Sequence, residues 1–93
     1  MDTVVDRLIR YAKVYSESDY HAGRAVTPST QRQFDMGRLL VEELHGLGIE
    51  NAVLDEKCYV YASVPASPGC EHLPAIGLIA HMDTTPDMTG KDV

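Results

Sequence analysis

The sequence predicts an α/β fold in the order α-α-β-β-β, with helices packed on a mixed sheet. Three observations carry that reading: two stretches of helical periodicity opened by cap-type residues, two short β-type runs two residues apart, and one apolar run ending in a polar turn. In the first stretch Thr3 and Asp6 stand three apart as a capping box does, with Asp in place of Glu. Val4, Val5, Leu8, Ile9, Ala12 and Tyr15 then form one stripe at helical spacing, so the first helix is expected over about 3–15.

Residues 16–26 form a polar connector containing Gly23, long enough to be a functional loop rather than a tight turn. Thr27-Pro28 opens the second helix, with a hydroxyl residue at N-cap, Pro at the first helical position, and Thr30 and Gln33 behind them. Phe34, Leu40, Val41, Leu44 and Leu47 supply its apolar face, and Gly46 and Gly48 end it, giving a helix over about 29–47. Strands follow at about 52–55 and 58–64. Only Glu56-Lys57 separates them, a hairpin spacing although neither turn residue is Gly or Asn. Pro65, Pro68 and Gly69 mark a loop, and Pro74 introduces the third strand, about 75–81.

That last run, Ile76-Gly77-Leu78-Ile79-Ala80, abandons period-2 alternation and suits a central strand covered on both faces. A central strand needs neighbours that these residues do not supply. Residues 1–93 are therefore expected to be the amino-terminal, incomplete segment of one larger α/β domain, a view that the polar ending Gly90-Lys91-Asp92-Val93 fits.

The bulk numbers bound the function. A chain of 93 residues makes one domain at most and buries roughly two thirds of its unfolded surface. With 44% hydrophobic and 24% charged residues it has the composition of an ordinary globular protein. A net charge of −6 disfavours nucleic acid and anionic membrane as partners, since both are polyanions. Charged residues interrupt the amino-terminal helix, so no signal peptide is read there, and no run approaches the roughly 18 apolar residues that would span a bilayer. The expected location is the cytoplasm. Cys58 and Cys70 lack CxxC spacing and are read as free thiols.

The chemistry concentrates where the apolar run ends, at His81-Met82-Asp83. Ligands of open α/β sheets collect outside the carboxyl ends of strands, and a neutral imidazole there is a natural zinc ligand. Its second ring nitrogen must then be controlled. Residues i and i+2 of an extended segment point the same way, so the Asp83 carboxylate can accept from the ring of His81 while Met82 turns into packing. One visible protein ligand falls short of the three that a catalytic zinc takes.

The other polar residues read more plainly. His21, His45 and His72 have no partner at ligand spacing and are read as solvated. Asp87, following Pro86, reads as a turn or cap residue, Glu42-Glu43 as a solvated helix face, and Tyr11, Tyr15, Tyr59 and Tyr61 as packing residues.

Several segments together resemble the peptidase T family. They are Pro28-Ser29-Thr30, the helix ending in Leu47-Gly48, Tyr59-Val60-Tyr61-Ala62-Ser63-Val64-Pro65-Ala66, and the stretch from Pro74-Ala75-Ile76-Gly77 into His81-Met82-Asp83-Thr84-Thr85-Pro86-Asp87-Met88-Thr89-Gly90-Lys91. The resemblance covers nearly the whole chain. Those are tripeptide aminopeptidases within the dizinc exopeptidases, which also contain carboxypeptidase G and the acetylornithine and succinyl-diaminopimelate deacylases. The H-x-D-T-x-P core is common to that wider group, whereas the continuation Pro86 to Lys91 and the Pro-Ala-Ile-Gly entry are specific to peptidase T. Gln31-Arg32 departs from the acidic residue and glycine that relatives often carry after Ser-Thr.

The resemblance implies that His81 binds one of two zinc ions and that Asp83, which orients it, is the residue counted as catalytic with a later glutamate. It places the bridging aspartate, the general-base glutamate and the remaining ligands beyond Val93. It also implies small peptides as substrates of a complete zinc metallo-aminopeptidase that releases the N-terminal residue of tripeptides. The fragment alone is then expected to be inactive, to bind zinc weakly or not at all, and to self-associate through uncovered strand edges. The rival expectation is a non-catalytic interaction or scaffold domain with this fold, or a related zinc deacylase or dipeptidase.

Overall fold

A computed structural model describes residues 2–23 and 26–93. Arg24 and Ala25, within the connector expected at 16–26, lie outside the described residues. The elements are helix α1 (Val4–Ala12), helix α2 (Gln33–Gly46) and strands β1 (Val53–Leu54) and β2 (Val60–Tyr61), an α/β arrangement.

Helix α1 starts as its cap residues dictate. The Thr3 hydroxyl accepts from Asp6 N–H at 3.1 Å and the Asp6 carboxylate accepts from Thr3 N–H at 2.9 Å. That backbone N–H, followed by the hydroxyl, holds the Asp6 carboxyl below its usual range. The helix stops at Ala12 rather than near residue 15, and Tyr15 instead lies under the Arg32 guanidinium, 4.4 Å from ring centroid to the guanidinium carbon. Its apolar stripe is largely uncovered: Val4, Val5, Leu8 and Ile9 are all exposed.

Helix α2 begins at Gln33, later than the Thr27-Pro28 signal implies. Thr27–Pro28 is a cis peptide, and the Ser29 and Thr30 hydroxyls serve tertiary contacts instead of capping a helix at 29. Ser29 Oγ accepts from Asp19 N–H at 3.0 Å, and Thr30 Oγ1 donates to the Glu17 carbonyl at 2.7 Å. The Gln33 amide donates back to both hydroxyls. The carboxyl end follows its glycines. Gly48 takes a φ of 90°, Ile49 N–H reaches the Leu44 carbonyl at 2.9 Å and Gly48 N–H the His45 carbonyl at 3.0 Å, the paired bonds of a Schellman motif.

The hairpin forms as the spacing implies, but shorter. Strands β1 and β2 pair antiparallel, Val53 with Tyr61 and Leu54 with Val60. Asp55 does the work expected of Gly or Asn: its carboxylate accepts from Lys57 and Tyr59 N–H, both at 2.9 Å, and Cys58 takes a φ of 66°. Past the ladder, Asn51 extends the pairing through its side-chain amide, which donates to the Ser63 carbonyl at 3.0 Å and accepts from Ser63 N–H at 3.0 Å.

The expected third strand at 75–81 is a correction. Residues 75–83 join no ladder, so the order is α-α-β-β and the sheet is a two-stranded antiparallel one rather than mixed. A strand exists only through hydrogen bonds to a neighbour, and among the described residues no edge meets this segment; Ile76, Leu78 and Ile79 are 89%, 94% and 101% exposed. Residue Thr84, just beyond, makes an isolated parallel bridge with Glu17.

Helix α2 packs on both strands, and the buried hydrophobic residues among those described are Met36, Ala52 and Cys58. Gly37 permits the close approach, since a Cβ there would meet Leu54 Cδ1 at 2.7 Å. Two residues read as solvated instead join elements. His45 donates from Nε2 to the Ala52 carbonyl at 2.9 Å, tying the end of α2 to the start of β1. Glu43 accepts from Arg10 and from the Tyr11 hydroxyl, tying α2 to α1, while Glu42 stays exposed as expected. Burial, then the hydrogen bond to Glu43, pushes the Tyr11 phenol up. Tyr59 and Tyr61 are more exposed than packing residues would be, edge to face with centroids 6.2 Å apart. No helix among the described residues is long and apolar enough to cross a membrane.

Candidate functional site

The site is assembled from three segments, none of which is a regular element. Residues 16–18 of the connector lie beside residues 82–84, and residues 29–32 hold the connector from behind. Thr84 N–H donates to the Ser16 carbonyl at 3.2 Å and Ser18 N–H to the Thr84 carbonyl at 3.0 Å. In an extended stretch alternate residues face opposite ways, so Glu17 presents its carbonyl to the other side. There it accepts from Thr30 Oγ1 at 2.7 Å and Arg32 Nε at 2.8 Å.

Onto this frame the chain places His81 and Asp83 together. His81 Nδ1 lies 3.0 Å from Asp83 Oδ1, with the imidazole 85% exposed and the carboxylate 33% exposed. Met82 turns the opposite way, its Sδ 3.9 Å from the buried Cys58 Sγ. Burial alone would raise the Asp83 carboxyl, but the neighbouring Ser18 hydroxyl and then the His81 ring outweigh it, and the group lies below the usual carboxylate range. Asp83 is thus an anion at neutral pH, the form that accepts a hydrogen bond from Nδ1–H of a neutral ring and leaves Nε2 as its lone-pair donor.

Two clefts meet at His81. One, of about 830 Å³, is apolar and is walled by Leu8, Tyr11, Met36, Leu40, Leu78 and Ile79 before reaching His81. The other, of about 390 Å³, runs past Ser18, Pro28, Cys58 and Asp83. Among the described residues no third His, Cys, Asp or Glu gathers with the pair to complete a metal cage.

Beyond the pair, Asp87 accepts from the Thr85 hydroxyl at 2.9 Å and the Tyr20 hydroxyl at 3.1 Å, closing the turn that follows. The Tyr20 contact lies outside what the sequence reading named, as do Ser16 and Ser18. His21 and His72 are exposed and remote from any such grouping among the described residues.

No family model matches the chain. Its curated relatives are peptidases by name. The chain is 49% identical over 94 residues to peptidase T of Alkaliphilus oremlandii, a match covering 100% of this chain and 22% of the relative. Against peptidase T of Halothermothrix orenii the identity is again 49%, and against that of Desulfitobacterium hafniense 44%, with the same coverage. Over its whole length the chain is similar to the amino-terminal part of those peptidase T proteins. It spans about a fifth of their length, 22%.

Proposed function

We propose that the chain is the amino-terminal part of a zinc-dependent aminopeptidase that releases the N-terminal residue from tripeptides, acting in the cytoplasm on small peptides. The carrying observation is the His81 Nδ1 to Asp83 Oδ1 contact at 3.0 Å, which ties one ring nitrogen and leaves the other open. That donor set fits zinc: a neutral imidazole is a common zinc ligand, and a carboxylate on its second nitrogen fixes the tautomer and raises its basicity. When bound, a pair of zinc ions supplies Lewis-acid polarisation of the scissile carbonyl and an activated water. His81 would hold one of the two ions, and Asp83 would keep the ring oriented. The names of the relatives support the peptidase assignment.

With one candidate zinc ligand among the described residues, the 93-residue chain is expected to hydrolyse no tripeptide by itself and to bind zinc weakly. The test joins this chain to the remainder of the Alkaliphilus oremlandii relative in place of its aligned segment. The chimaera is expected to cleave tripeptides in a chelator-sensitive way; His81→Ala should abolish turnover, and Asp83→Asn should lower it by about 10- to 100-fold. Turnover unaffected by His81→Ala would overturn the assignment. A non-catalytic interaction domain is the second reading, favoured by the uncovered Ile76, Leu78 and Ile79; a chimaera that folds and binds no zinc would favour it.

A further inference from the structure

We infer that the hydroxyls of Ser16 and Ser18 are positioning groups for the His81–Asp83 pair, latching the peptide units on both sides of Asp83. The inference rests on the metal-site reading above for its purpose, but the latch itself is a matter of geometry. Ser16 Oγ donates to the Met82 carbonyl and Ser18 Oγ to the Thr84 carbonyl, each at 3.2 Å. Asp83 sits between those two carbonyls. With the two backbone bonds between the same segments, its main chain is clamped before and after the side chain that grips the imidazole.

The burial pattern singles out Ser16. It is 0% exposed, in a molecule whose buried apolar residues among those described are three. A buried hydroxyl costs free energy unless its hydrogen bond is made, so a serine is a poor choice here for packing alone. His81, by contrast, is an exposed ring whose partner is Asp83. A solvent-exposed hydrogen bond contributes little to holding two side chains in one geometry, so the order of the ring depends on how firmly Asp83 is placed. A pair of seryl hydroxyls two residues apart supplies that order from outside the pair, as supporting shells of metal ligands do.

The experiment uses the 93-residue chain labelled with ¹⁵N-histidine, at about pH 8.5 where a free imidazole is neutral. Wild type is expected to show the His81 ring as the tautomer with the proton on Nδ1. Ser16→Ala with Ser18→Ala should move it toward the Nε2-protonated form and weaken zinc binding at the ring by about tenfold. Ser18→Thr, which keeps the hydroxyl at a half-buried position, should restore the wild-type signal where Ser18→Ala alone loses part of it. Amide resonances of α2 and the hairpin report that each variant is folded, and the Ser18 pair carries the test if the double variant is not. An unchanged tautomer in folded Ser18→Ala and in the double variant would overturn the latch. A tautomer that answers to the hydroxyls upholds the latch whether or not zinc moves the His81 resonances of this chain, while a folded chimaera that binds no zinc sinks the zinc reading and leaves the latch standing.

Discussion

At the scale of single residues, the H-x-D spacing was legible because it needs only local geometry: two positions of one extended segment face one way whatever surrounds them. Ser16 and Ser18 were not legible. Their partners are more than sixty residues away, and nothing in a polar run such as Tyr15-Ser16-Glu17-Ser18-Asp19 says which hydroxyl will be buried. The same holds for Glu43, which looks like any exposed helix carboxylate until Arg10 and Tyr11 arrive. Cys58 allows a sharp residue-level prediction. It is 4% exposed and burial pushes its thiol up, so less of the reactive thiolate is present, whereas Cys70 is partly exposed. Iodoacetamide at neutral pH should therefore modify Cys70 first, with Cys58 slower by about tenfold or more; equal rates, read by mass spectrometry, would contradict the buried placement.

Among the elements, the amino-terminal cap of α1 and the carboxyl end of α2 are legible and the start of α2 is not. The Thr3 capping box and the glycine-terminated end of α2 were visible because each is closed within a few residues. Helix α2 starts four residues later than its sequence signal implies because Ser29 and Thr30 spend their hydroxyls on the connector, a competition that no local rule resolves. Asp55 closes a hairpin whose turn holds neither Gly nor Asn by accepting two backbone N–H groups. Helix α1 buries none of its residues and hangs on Glu43. Glu43→Ala should therefore speed hydrogen exchange of α1 amides by about tenfold while leaving the α2 and hairpin amides slow. Uniform acceleration across all elements would show instead that α1 is not a separable unit.

The whole molecule is more open than its length requires. A compact chain of this size has a radius of gyration near 12 Å, against 15.5 Å here. The difference is the apolar cleft and the uncovered segment that forms one wall of it. The run 76–80 was readable as a buried strand because composition reports what a segment is suited to pack against, while a strand also needs an edge to join, and none is offered among the described residues. Exposed extended backbone bearing Leu78 and Ile79 is a template for association. The isolated chain is expected to self-associate with rising concentration, and Leu78→Glu with Ile79→Lys to reduce this sharply. A wild-type chain that remains monomeric by light scattering at about millimolar concentration would exclude it.

One main-chain oxygen links the scales. The carbonyl of Glu17 takes hydrogen bonds from both Thr30 and Arg32, while the residues on either side of it hold Thr84. It is a common bearing for two segments, so the foot of α2 and the stretch carrying Asp83 are joined through hydrogen-bonded main chain rather than through an apolar core. Arg32, far from the candidate metal ligand in sequence, thereby shares one support with the segment of chain that carries it.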